Sequence, residues 1–89
     1  MTYHARIPKD LAKLHPQVQK RIRDTIDRLA NDDPSLQTHP LSNSLKGWLS
    51  TKVSHDHRVV HQPDGEGGIY VGYVGLHGYG DVESRFGRG

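Results

Sequence analysis

Cysteine is absent from the 89 residues, which excludes a disulfide-stapled scaffold, a thiolate zinc site and a thiol nucleophile. Long apolar runs are missing as well. No stretch approaches the roughly 20 residues that a helix needs to cross a bilayer, and no basic-then-apolar leader is visible, so the expectation is a soluble, cytoplasmic protein without a membrane partner. Apolar residues make up only 33%, with one Trp, one Phe and one Met, and mean hydropathy is -0.76. A chain this short is read as a single domain over 1–89. It buries roughly 60–65% of its unfolded surface, so one small core has to take almost every large apolar side chain. Strong charge of one sign is lacking too: 12 Lys+Arg against 10 Asp+Glu leave a formal +2, which permits an anionic partner without requiring one. Histidine is plentiful, at seven residues.

Periodicity organises the chain. Residues 2–7 alternate, with Tyr3, Ala5 and Ile7 on one side, which predicts a strand that Pro8 ends. Residues 9–14 form a short helix, and Pro16 opens a longer one over 16–31 in which Val18, Ile22, Ile26 and Leu29 make an apolar stripe. Its remaining faces, with Lys20, Arg21, Arg23 and Arg28 among aspartates, read as solvated. Residues 35–44 are expected as a loop. Strands follow at 45–54 and 58–62, then a hairpin connection over 63–68 and a strand at 69–76. That last strand is apolar or glycine on both sides and therefore suits a central position. Residues 77–86 leave room for a short strand or turn. The fold class is α+β: two N-terminal helices on one face of a mostly antiparallel sheet of four or five strands, with the other face open.

Ligand chemistry is expected on that open face. Imidazoles hold or move protons near neutral pH, a guanidinium suits phosphate, and aromatic rings suit stacking. His39, His55, His57, His61 and His77 supply the first, Arg58 the second, and Trp48 and Tyr79 the third. These are the groups that metal-free RNA cleavage needs, and they serve a passive RNA-binding face equally well. Bland readings stand beside both: most of these histidines as solvated groups, Trp48 as a packing residue, Arg58 as a surface or interface arginine. His55, His57 and His61 share strand parity, which keeps a metal-binding module open as a further reading.

The order of the motifs resembles the RelE/ParE superfamily of bacterial toxins from type II toxin–antitoxin pairs. Residues Ile7-Pro8-Lys9-Asp10-Leu11-Ala12-Lys13-Leu14 resemble its opening helix, and Leu45-Lys46-Gly47-Trp48 its entry to the sheet. Asp56-His57-Arg58-Val59-Val60-His61 and Tyr70-Val71-Gly72-Tyr73-Val74-Gly75-Leu76-His77 resemble two of its strands. Within the superfamily the chain is most similar to the histidine-rich, YafQ-like branch of messenger RNA interferases.

That resemblance implies a ribosome-dependent endoribonuclease without cofactor or metal. Its partners would be a cognate antitoxin, messenger RNA in the ribosomal A site and ribosomal RNA, with operator DNA reached only through the antitoxin. Carried over position by position, it implies His39 (in a His-Pro-Leu loop), Asp56, Arg58, His77 and Tyr79 as site residues. The chemistry then assigns Arg58 to the scissile phosphate and Tyr79 to a base or sugar. His39 and His77 form the acid–base pair, with His39 taken as base, His77 as acid and Asp56 orienting one of them, while the sequence leaves open which histidine is acid and which is base. Lys46, Trp48, Lys52, His57 and His61 are the implied substrate-binding residues. The chain departs from the pattern where His57 and His61 stand in aromatic positions, and where the lysines of the Trp48 strand are reduced to Lys52. A gyrase-inhibiting ParE-like toxin and a catalytically inactive antitoxin- or RNA-binding homologue are the alternatives.

Overall fold

Proline sets the start of both N-terminal helices, because the first turn has free N–H groups in any case and loses nothing to an imide nitrogen. In the computed structural model, which describes residues 2–76 and 80–86, α1 spans Ile7–Ala12 and α2 spans Pro16–Ala30. His15 caps α2 by accepting the Gln17 amide proton on Nδ1 at 3.1 Å. Asn31 closes the other end, its N–H donating to the carbonyls of Asp27 and Arg28. The expected strand over 2–7 is cut short. The His4 ring and carbonyl take the amide protons of Arg6 and Ile7, turning the chain into α1 and leaving only β1, Thr2–Tyr3.

The strands that follow are β2 (Thr38–Pro40), β3 (Leu49–Lys52), β4 (His57–Pro63) and β5 (Ile69–Leu76). A 3-10 turn, Asn43–Leu45, precedes β3, and a helix α3, Gly80–Phe86, follows β5. The sheet order is β1-β5-β4-β3-β2, with β1 parallel to β5 and every other pair antiparallel. This is the expected α+β arrangement in its five-stranded form. The fifth strand comes from β2, in a segment expected to be loop. The segment 77–86, expected as a short strand or turn, contributes a helix over its described part.

Alternation along the strands sends side chains to two covered faces. Val59, Val71 and Val74 pack under the helices with Ile7, Ile22 and Ile26, and Val18 and Leu29 border the cluster. The expected stripe on α2 therefore does face the sheet, lying over β4, while α1 lies on β5. The opposite face is not left open along its whole length. Val60 and Tyr73 are covered by Leu45 of the 3-10 turn and Val82 of α3, with Leu41, Trp48 and Phe86 around them. Apolar residues on both faces of β5 reflect these two cores.

Gly72 makes the second core possible. Val60 stands opposite Tyr73 and His61 opposite Val71, so Gly72 is the extra residue of a β-bulge. A Cβ there would lie 2.7 Å from the Trp48 ring and 2.9 Å from Phe86. Those rings stack across the bare backbone with centroids 4.3 Å apart. The same end of the fold is tied by Arg85 of α3, which grips Asp10 of α1 with two 2.9 Å hydrogen bonds and donates to the Gly72 carbonyl at 2.7 Å.

Candidate active site

Three of the expected site residues share the part of the second face that the 3-10 turn and α3 leave uncovered. Thr38 lies opposite Thr51, and their hydroxyls meet at 2.6 Å, which places both on the helix side. His39, the next residue, therefore belongs to the other face, opposite Ser50. Lys52 lies opposite Arg58 on that face. Two strand spacings and a two-residue step put the Cα atoms of His39 and Arg58 about 12 Å apart. His39 and Lys52 are exposed and Arg58 is half-buried.

Arg58 is held in a particular way. Its Nη1 donates to the carbonyls of Ser54, His55 and His57 at 2.6, 3.2 and 3.0 Å, which fastens the guanidinium to the β3–β4 turn. Nε is buried and has no hydrogen-bond partner among the described residues. With Nη1 fastened to the turn and Nε sealed from solvent, Nη2 is the part of the guanidinium left to donate to a phosphate oxygen. Asp56 sits on the same turn with its side chain 71% exposed, and the imidazole within 4.0 Å of it is that of His55, itself 95% exposed.

The structure places the remaining expected residues elsewhere. His61 was expected to bind substrate. It is instead 3% exposed and lies on the helix side beside Val71, with Nε2 2.7 Å from the Thr51 hydroxyl and Nδ1 unpartnered among the described residues. The physical reason is parity: Val59 faces the helices, so His61, two residues on, does so too. His57 has that parity as well and is half-buried, its Nδ1 3.0 Å from the Ser54 hydroxyl. Trp48 takes its packing role, between Phe86 and Tyr70, and is not a free stacking platform. Lys46 is exposed at the end of the 3-10 turn and not on a strand. His77 and Tyr79 lie outside the described residues. His55, His57 and His61 do not converge, and among the described residues no group of three or more His, Asp or Glu is arranged to hold a metal ion. Among them, too, no helix is long and apolar enough to cross a membrane.

Burial of His61 has a consequence for stability. Desolvation holds its pKa down at about 4, against an ordinary 6.5. As pH falls through 6.5 the unfolded chain takes up a proton that the native state refuses until about pH 4. Stability is therefore level above pH 6.5 and declines between 6.5 and 4, by about 2 kcal/mol from pH 7 to pH 5. Urea unfolding at those two pH values measures it. His61→Gln, which keeps a hydrogen-bonding group but does not titrate, should flatten the difference. An equal decline in the variant would assign the acid sensitivity to other groups.

No protein-family model matches the sequence, and no curated protein does. Solved structures match it over most of its length. YafQ from E. coli strain BL21(DE3) superposes with a TM-score of 0.72 at 18% identity, covering 85% of this chain and 90% of that one. A YoeB/ParE toxin from Agrobacterium tumefaciens gives 0.68 at 20% identity, covering 85% and 95%. The RelB-RelE antitoxin–toxin complex from Methanococcus jannaschii gives 0.71 at 13% identity, covering 97% and 99%. At these identities the likeness is one of fold, and it is the fold that the order of the motifs implied.

Proposed function

From a chain with the fold of the RelE/ParE toxins, we propose a toxin of a type II toxin–antitoxin pair, an endoribonuclease that cuts messenger RNA in the ribosomal A site. One observation carries the reading. On a face with an exposed histidine and lysine, Arg58 is pinned to the β3–β4 turn through Nη1, which holds its positive charge beside Lys52.

Cleavage uses the RNA's own 2'-hydroxyl as nucleophile, so the protein has three tasks: to remove that proton, to meet charge on the phosphate, and to protonate the leaving 5'-oxygen. A phosphodiester laid over exposed Lys52 meets His39 on one side and Arg58 on the other. His39 takes the 2'-hydroxyl proton. Arg58 and Lys52 face the equatorial oxygens, where charge grows toward the transition state. His77 gives its proton to the 5'-oxygen, and Tyr79 contacts a neighbouring base or sugar. Asp56 orients an imidazole from the β3–β4 turn. The ribosome holds the message in line, which lets so small a site act. The antitoxin supplies acidic side chains to the cationic face and blocks it, as charge complementarity favours. The RelB-RelE complex shows an antitoxin bound to a chain of this fold.

Expression of the chain alone should arrest growth and protein synthesis, with messages cut within codons on the ribosome, and co-expression of the antitoxin should restore growth. Mapping of message ends during induction reads the result. Unimpaired growth with folded protein present would select the inactive homologue. Arrest with intact messages and blocked DNA supercoiling would select the gyrase-directed toxin.

A further inference from the structure

The helix side of the fold carries a second cationic feature, which shares only Lys52 with the site above. Lys20, Arg21, Asp24 and Arg28 recur along one side of α2 and line a groove of about 540 Å³. Its far wall is formed by residues 35–37 and by Lys52 and Val53. The solvated helix face expected from composition is thus sorted by the fold. Arg28 is neutralised locally, its Nε 3.2 Å from Asp24 and 3.8 Å from Asp33. Arg23 lines a different groove, beside Tyr3, Ile7 and Leu11. Lys20, Arg21 and Lys52 lie within 4.0 Å of no carboxylate among the described residues, and the groove's single carboxylate, Asp24, is already engaged by Arg28.

We infer that this groove holds the phosphate backbone of single-stranded RNA, and that Lys52 joins it to the open face. The inference rests on the ribonuclease reading for the identity of the polyanion. Three observations carry it. The groove runs along α2 from Lys20 to Arg28, about two turns of helix, with the uncompensated Lys20 and Arg21 at one end and Lys52 on the far wall, the shape of a track rather than of a point site. The groove contains no aromatic ring, so it offers contacts to phosphates and not to bases, which is how backbone is bound without sequence preference. Lys52 lines the groove and is also the strand partner of Arg58, so a strand leaving the groove passes over the end of β3 onto the proposed cleavage face.

The test is equilibrium binding of the whole chain to a 2'-O-methyl oligoribonucleotide, whose blocked 2'-oxygen cannot attack, over a range of salt. Lys20→Glu combined with Arg21→Glu should raise Kd at least ~10-fold and reduce the salt slope by about 1.4, since each lost contact to a single strand contributes about 0.7. Lys9→Glu with Lys13→Glu on α1 makes the same change in net charge and should shift Kd less than ~2-fold. Should the glutamate pair fail to fold, Lys20→Gln with Arg21→Gln should still reduce the slope. Equal losses from the α1 and α2 pairs, or an unchanged slope from the α2 pair, would overturn the inference. So would loss of antitoxin binding with RNA binding intact, which would give the groove to a protein partner. Cleavage separates this inference from the reading it rests on. A chain that binds the oligonucleotide through Lys20 and Arg21 but cuts no message keeps the groove and loses the nuclease. A chain that cuts messages while the α2 pair leaves binding unchanged keeps the nuclease and loses the groove.

Discussion

Asp10→Ala should lower the stability of the fold by about 3–5 kcal/mol, among the largest effects of any single substitution. The Asp10 and Arg85 side chains are 5% and 11% exposed and meet in a two-bonded, fork-to-fork pair across 75 residues of sequence. A pair of this kind contributes little beyond well-packed apolar residues, because both charges had to leave water. Removing one partner is a different matter, since buried Arg85 then loses the carboxylate that accepts two of its hydrogen bonds. Urea denaturation at pH 7 measures the loss. The double variant Asp10→Ala/Arg85→Ala should cost less than the sum of the two single changes, by about 0.5–3 kcal/mol, because the second change removes the stranded charge. A loss below about 1 kcal/mol for Asp10→Ala alone would mean that the pair behaves as a solvated surface bridge.

The second large effect concerns rate. In single-turnover cleavage of ribosome-bound message, His39→Ala and His77→Ala should each lose about 10²–10⁴ in rate, the usual range for removing a proton-transfer group. Arg58→Ala should lose about 10²–10³, the range for removing one preorganised donor to a developing charge. Because Arg58 also fastens the β3–β4 turn, Arg58→Lys is the informative companion: it keeps a cation but lacks the planar guanidinium that holds the turn and aims the charge, so it should stay well below the wild-type rate. His61→Gln, changed in the core and not on the proposed cleavage face, should cut at close to the wild-type rate once folded. Near-normal cleavage by both Arg58→Ala and His77→Ala would show that the chemistry lies elsewhere. If only His39→Ala cleaves normally, the base is another group, and half-buried His57 is the next candidate among the described residues.

Much of the architecture was legible because its causes are local. Three- and four-residue spacing on α2, proline at two helix starts, and Asp64 with its glycines at the β4–β5 turn are satisfied within a few residues. Asp64 Oδ1 accepts the amide protons of Glu66 and Gly68 at 2.7 and 3.0 Å, so that turn is held by its own residues. The early alternation does not become a full strand because a local competitor, the His4 ring, takes the Arg6 amide proton. β2 has no local signal for the opposite reason. Three exposed residues have no pattern of their own, and become a strand only because β3 offers a ladder edge.

The candidate site divides along the same line. That Arg58 and His61 point to opposite faces follows from their spacing alone. Which of those faces lies under α2 does not, and this difference turned one histidine into a core residue while leaving Arg58 beside Lys52. Likewise the sequence determined that β5 is apolar on both sides, whereas the tertiary structure decided what covers the second side: Val82, Phe86 and Trp48, brought over a glycine bulge. The pairing of Asp10 with Arg85 and the sorting of cations around α2 are of this second kind. Periodicity and capping are enforced by neighbours in the chain, so they can be read there. Face, cover and charge pairing are set by residues tens of positions away, and only the folded chain brings those together.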